Sequence, residues 1–327
     1  MNEFVLEVKD LSICFYSGRK EIPAVENLSF NVSKGETLGI VGESGSGKTV
    51  TSLSIMQLIP NPPGKITGGE MIFGSLDLLK VDDDIIRQIR GNNISMIFQE
   101  PMTSLNPVYT IGEQLSEVFS THQKLSKKES MKRSVVMLKQ VKIPLAEKRM
   151  KQYPHELSGG MRQRVMIAMA LACMPEILIA DEPTTALDVT IQSQILHLIR
   201  EMKEKMNTAV ILITHNMGVV AEMADNVMVM YCGRALEYAD VRTLFKEPKH
   251  PYTIGLLNSI PRIKGGRRKL YAIKGSVPVP GEVTAGCRFN SRCEDVFEKC
   301  RIEEPPFFEV GASKVRCWKY EGKGVTV

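Results

Sequence analysis

Three stretches of this chain are apolar almost without interruption, and each stops at a glycine or an ionisable residue. Thr37–Val41 (TLGIV) runs into Gly42, Ile177–Ala180 (ILIA) into Asp181 and Glu182, and Thr208–Thr214 (TAVILIT) into His215. Continuous apolar runs of this length predict strands buried on both faces of a parallel sheet. Behind the first, Val50, Leu53, Met56 and Ile59 recur near period three to four and predict a helix. Met161, Val165, Ala168 and Ala172 do the same behind the triplet Ser158-Gly159-Gly160. The fold class expected is α/β. Open parallel sheets hold ligands at the carboxyl ends of their strands, where Gly42, Asp181 and His215 fall.

Length and composition narrow the class. With 327 residues, 43% of them apolar, there is material for a large domain plus a smaller one. The longest nearly apolar run, Val165 to Ala180, is broken by Pro175 and Glu176 and is too short for a membrane span. The opening MNEFVLEVKD carries acids where a secretory leader would be basic, so a cytosolic chain is expected. Residues 246–327 hold 16 Lys+Arg against 9 Asp+Glu, a net +7 in a chain whose total is +5. That basic quarter is expected to be a solvated surface, or else a contact for anionic lipid or an acidic partner.

The segment ETLGIVGESGSGKTV (36–50) meets the pattern G-x-x-x-x-G-K-[ST] with Gly42, Gly47, Lys48 and Thr49, between a predicted strand and a predicted helix. Glycines let the backbone curl, so that N–H groups from Glu43, Ser44, Gly45 and Ser46 through Thr49 face an anion, and the helix start adds positive potential. Lys48 is placed for the β- and γ-phosphates and the Thr49 hydroxyl for Mg²⁺. At the second strand end, Asp181 suits Mg²⁺ and Glu182 a general base for the attacking water. His215 can reach a γ-phosphate. In HELSGGMRQRVMIAMALA (155–172), Ser158 can cap a helix whose bare glycine N–H groups form a second anion grip.

In order, GESGSGKT, IFQEP, LSGGM, ILIADEP, TALD and ITH resemble the ATP-binding cassette (ABC) ATPases over about residues 1–245. The resemblance implies a P-loop cassette: a RecA-like core, an antiparallel β subdomain and a helical subdomain near 100–170. Such cassettes pair head to tail, so Ser158, Gly159 and Gly160 would grip ATP held by a partner. Gln99 resembles the glutamine that senses Mg²⁺ and the attacking water, Asp188 the aspartate at the dimer seam, and Phe15, rather than Tyr16, the aromatic stacked on adenine. Met161 departs from the commoner glutamine.

Beyond the cassette, EPKHPYTIGLLNSIPR (247–262), IKGSVPVPG and GCRFNSRC are similar to the C-terminal extension of oligopeptide, dipeptide and nickel importer ATPases. The domains expected are 1–250 for the nucleotide-binding domain and 251–327 for a small Cys-containing extension, with PRIKGGRRKL (261–270) as an exposed linker. The signature resembles the D-type subunit. By that resemblance the partners are a paralogous or identical ATPase, two membrane permeases and an extracellular or periplasmic peptide-binding protein, with the chain peripheral at the cytoplasmic membrane face and no nucleic acid involved. A nickel or other small-solute importer is the alternative; a soluble cassette acting on ribosome or DNA would carry tandem cassettes or long insertions. Cys14, Cys173 and Cys232 read as ordinary buried thiols. Cys287, Cys293, Cys300 and Cys317, spaced C-x5-C-x6-C-x16-C, suit tetrahedral zinc or an iron–sulfur cluster equally. The resemblance favours [4Fe-4S] over Zn²⁺ or free thiols, in a role that holds the extension together.

Overall fold

A computed structural model describes residues 4–99, 104–185, 187–260, 271–279, 281–283 and 285–326. The proposed linker 261–270 lies outside these residues. Contacts divide the chain into two compact units. One is built mainly from Lys80–Ile211; the other from Leu6–Val32, Thr37–Leu79 and Leu212–Val327. The fully buried strand Ala209–Thr214 is where the chain passes from one to the other.

In the first unit, Ile94–Ile97 pairs in parallel with Ile177–Asp181, register Ile94↔Ile177 to Ile97↔Ala180. Helices fill the segment between them: Ile111–Gln123, Lys127–Gln140, Ala146–Arg149 and Gly159–Leu171. Their starts are written locally. Thr110 accepts from the Glu113 N–H at 3.2 Å while the Glu113 carboxylate accepts from the Thr110 N–H at 2.8 Å, a reciprocal cap. Ser126 caps the next helix through the Glu129 N–H. The Gly159–Leu171 helix buries Val165, Met166, Ile167 and Ala168, and Pro175 closes the turn before the strand.

In the second unit, a four-stranded sheet pairs Phe4–Ser17 antiparallel with Gly64–Phe73. A second sheet there runs, in neighbour order, Val325–Thr326, Phe308–Val310, Ser313–Val315, Arg234–Asp240, Asn226–Tyr231 and Thr37–Val41. Thr37–Val41 is buried throughout and parallel to Asn226–Tyr231, with Val41 opposite Val229. The following helix is Lys48–Ile55, shorter than the spacing suggests, and it buries Thr51, Ser52 and Ser54 beside Ile55. Those hydroxyls are satisfied by back-bonding to the carbonyls of Gly47, Thr49 and Thr51. Polar side chains thus make up much of the buried face, while Val50 and Leu53 are half-buried.

The C-terminal segment does not stand apart. Its strand Ser313–Val315 extends the sheet through Glu237↔Val315 and Ala239↔Ser313. Cys287, Phe289 and Cys300 join one apolar core with Val41, Tyr231, Leu244 and Tyr252. Tyr231, Tyr252 and Phe289 form a triangle of ring contacts, with centroids 4.7, 5.3 and 5.2 Å apart. Its basic excess is also partly internal. Arg288 pairs with Glu26 at 2.6 Å and Arg292 with Glu43 at 2.6 Å, both guanidinium groups nearly buried. The expected solvated surface is therefore corrected for these two arginines, which pair with Glu26 and Glu43.

Helix Pro251–Asn258 starts from His250, whose ring accepts from the Tyr252 N–H at 3.1 Å, while the buried carboxylate of Glu237 accepts from the Lys249 and His250 N–H groups. Burial pushes the His250 imidazole down from 6.5 to about 3. An unfolded histidine charges below about 6.5 while this one stays neutral, so its contribution to stability is complete above that pH and falls as pH drops towards 3. His250→Asn keeps a capping oxygen and removes this titration. Between about pH 7 and pH 5 the wild type should lose about 2 kcal/mol more unfolding free energy than the variant, read by urea denaturation at both pH values.

Candidate functional site

In the second unit, the loop Gly42–Gly47 follows the buried strand and turns into helix Lys48–Ile55. Gly42 has no room for a side chain: a Cβ would lie 2.2 Å from the Met230 carbonyl oxygen. Gly47, the residue before the helix, sits at φ 98°, and a Cβ there would lie 2.8 Å from the Ala24 carbonyl oxygen. No side chain caps this helix, which leaves the N-terminal amides for an anion. Lys48 is buried, and its ammonium donates to the Gly42 carbonyl at 2.8 Å, the Glu43 carbonyl at 2.9 Å and Ser46 Oγ at 3.3 Å. Ser44, Gly45 and Thr49 are exposed and Ser46 is buried. His215 is exposed just past the strand Ala209–Thr214. Phe15 is half-buried opposite Gly64, and Tyr16, the other aromatic considered, is 40% exposed.

The loop has further partners that spacing gave no reason to name. Tyr252 Oη accepts from the Glu43 N–H at 2.8 Å. Arg292 donates to both Glu43 carboxylate oxygens, at 2.6 and 3.2 Å. The Gly233 N–H donates to the Ser46 carbonyl at 3.0 Å. Tyr252 belongs to the stretch EPKHPYTIGLLNSIPR noted above; Arg292 carried no signal beyond its place beside Cys293.

In the first unit, Asp181 ends its strand with 2% exposure, and Glu182 follows at φ 45°. Glu182 Oε2 accepts from Gln99 Nε2 at 3.2 Å and Thr185 Oγ1 at 2.8 Å. The second grip stands in the same unit. Ser158 Oγ accepts from the Met161 N–H at 3.4 Å, capping a helix whose first residues, Gly159 and Gly160, are exposed and half-buried. Buried Gln163, one turn on, donates to the Pro183 carbonyl at 2.7 Å, tying this helix to the turn that carries Glu182. Asp188 caps helix Val189–Met206 through the Ile191 N–H at 2.9 Å. Ala186, within TALD, and Glu100 and Pro101, within IFQEP, lie outside the described residues.

The expected metal site at the four C-terminal cysteines is not supported. Among the described residues, no group of three or more His, Cys, Asp or Glu is gathered as a metal site. Burial pushes the Cys287 thiol up to about 12 and the Cys317 thiol to about 11. The role expected of a metal was to hold together a segment with little core of its own. That segment has a core, shared with Val41 and Tyr231. Among the other three thiols, Cys14 is buried, while Cys173 and Cys232 are half-buried.

Comparison with known proteins accords with this geometry. Residues 25–185 match the family model for ABC transporters, and residues 236–300 that for the C-terminal region of oligopeptide/dipeptide transporters. The chain is 54% identical to the oligopeptide transport ATP-binding protein AppD of Bacillus subtilis (strain 168), over 98% of each chain. It is 48% identical to the dipeptide transport ATP-binding protein DppD of Haemophilus influenzae, over 96% of this chain and 94% of that one. Among solved structures, the dimeric ATP-binding cassette MJ0796 bound to ADP and Pi superposes with a TM-score of 0.65 at 30% identity, over 72% of this chain and 99% of that one. The fold is thus a P-loop ABC cassette, and the protein is an ATPase. It belongs to the ABC transporter ATPases of the oligopeptide/dipeptide transporter family.

Gly47→Ala tests the loop geometry. A left-handed residue forced into strain costs roughly 1–3 kcal/mol. MgADP binding, measured by calorimetry, should weaken about tenfold to a hundredfold while far-UV circular dichroism stays unchanged. Wild-type affinity would contradict the φ and the close approach to Ala24.

Proposed function

We propose that this chain is the ATP-hydrolysing, D-type subunit of a di- or oligopeptide importer. The observation that carries the reading is likeness over nearly the whole length, extension included, to oligopeptide and dipeptide transport ATP-binding proteins. Among the described residues no helix is long and apolar enough to cross a membrane. The partners we assign are a second cassette, paralogous or identical, two permeases and an external peptide-binding protein, with this chain at the cytoplasmic membrane face. Residues 1–250 form the nucleotide-binding domain, with helices near 100–170 as its helical part, and 251–327 the extension.

Gly42–Thr49 binds the phosphates of ATP. Lys48 exchanges its carbonyl partners for phosphate oxygens, a stronger charge-assisted pairing. Thr49, Asp181 and Gln99 are the residues that would hold Mg²⁺, which would supply charge neutralisation to the phosphates. Glu182 accepts the proton of the attacking water, and Gln99, 3.2 Å from its carboxylate, orients that water. His215 donates to the γ-phosphate, Phe15 stacks on adenine, and Asp188 sits at the seam between cassettes. Ser158, Gly159 and Gly160 present a capped helix start to the γ-phosphate of ATP on the partner cassette. ATP then closes the pair and hydrolysis reopens it, a two-state change biased by contacts at both grips.

Glu182→Gln keeps the Gln99 neighbour but removes the base. ATP should still bind, while turnover in the assembled transporter falls at least about a hundredfold; undiminished phosphate release would take Glu182 out of the base role. In cells, uptake of a labelled tripeptide should vanish with Lys48→Ala. Unchanged uptake, together with copurification of ribosomal proteins and no permease, would overturn the importer assignment.

A further inference from the structure

We propose that the C-terminal extension completes the phosphate loop: Arg292 is a positioning residue that neutralises Glu43 and holds its carboxylate away from the nucleotide. The inference rests on Gly42–Thr49 being the phosphate grip. Glu43 stands second in that grip, so its carboxylate is a fixed negative charge in a loop that must receive a polyphosphate. Its side chain is 30% exposed, and the Arg292 side chain only 5%. The guanidinium forks onto both carboxylate oxygens, at 2.6 and 3.2 Å, a bidentate pairing. The fork is itself held in place: Arg292 Nε donates to the Lys274 carbonyl at 3.0 Å, and one terminal nitrogen donates to Tyr231 Oη at 3.3 Å. The guanidinium carbon lies 5.7 Å from the Tyr231 ring centroid and 5.9 Å from that of Phe289.

The same residue is gripped at its backbone. Tyr252, fully buried, accepts from the Glu43 N–H, while the Glu43 carbonyl accepts from Lys48. Side chain, amide and carbonyl of one loop residue are therefore all committed, and the extension provides two of the three partners. Without Arg292 the carboxylate is left half-exposed at the mouth of an anion site, where it repels phosphate. Without both charges the repulsion disappears, although the Arg292 contacts with Lys274 and Tyr231 are still lost. Those two cases separate charge neutralisation from simple structural support.

The experiment is calorimetric titration of MgADP into the purified full chain, carrying R292Q alone or together with E43Q. R292Q should weaken binding on the order of tenfold at about 50 mM salt and by less at about 500 mM, because salt screens the exposed charge. The double variant, which lacks both charges, should recover most of the loss seen with R292Q. A double variant as weak as R292Q, or R292Q with wild-type affinity, overturns the proposal. Thermal unfolding of R292Q and the double variant accompanies the titrations; because both lack the same Arg292 contacts, a shared loss of stability leaves their comparison decisive. Lys48→Ala serves as the reference. If it leaves MgADP binding intact, the phosphate-grip assignment has failed; if it abolishes binding while R292Q does not change it, only the role of Arg292 has.

Discussion

Glu43 places a negative charge inside a loop whose exposed amides and buried lysine collect anions, and much of the second unit is arranged around that residue. Its carboxylate is paired by Arg292, its amide by Tyr252 and its carbonyl by Lys48. Each partner comes with its own support. Tyr252 lies in the helix that starts at His250, whose backbone N–H is held by the buried Glu237. Arg292 lies against the Tyr231 and Phe289 rings. Tyr231 ends the strand that runs parallel to Thr37–Val41. Core packing and loop electrostatics are thus one problem here, since the rings that bury apolar surface also fix the guanidinium.

The first unit shows a comparable economy on a smaller scale. Gln163 joins the helix of the second grip to the Pro183 carbonyl, and the next residue back is Glu182, which contacts Gln99 and Thr185. The glycine grip and the carboxylate turn are therefore separated by one buried hydrogen bond. Leaving the Pro183 carbonyl without its partner would carry a desolvation penalty.

What could be read from sequence follows from how local each signal is. The strands Thr37–Val41 and Ile177–Asp181 were legible because unbroken apolar runs ending in polar residues have few other uses. Ser158 as a helix cap was legible because capping needs only three residues. The helix after the phosphate loop was legible as a helix, but its buried threonine and serine were not, because their hydroxyls can bury themselves by bonding to carbonyls a turn back. The cysteines drew attention to metal because four fall within 31 residues of one another, whereas their shared core with residues far upstream carried no sequence signal. Arg292 and Glu43, 249 positions apart, could not be paired by any periodicity. A charge count placed Arg292 on a basic surface, whereas the fold buries it.

The hairpin formed by Phe308–Val310 and Ser313–Val315 also decides where the sheet ends. It covers Arg234–Asp240, a strand with Leu236, Glu237 and Ala239 all buried, and the ladder then finishes at the two-residue strand Val325–Thr326, which is exposed. A short exposed terminal strand is a poor template for another chain, while a long apolar one is a good template. Trimming this protein to a minimal cassette after residue 246 would uncover the wrong kind of edge. The product would be prone to self-association through its backbone, and a loss of solubility in such a fragment would reflect that uncovered edge rather than any failure of its nucleotide chemistry.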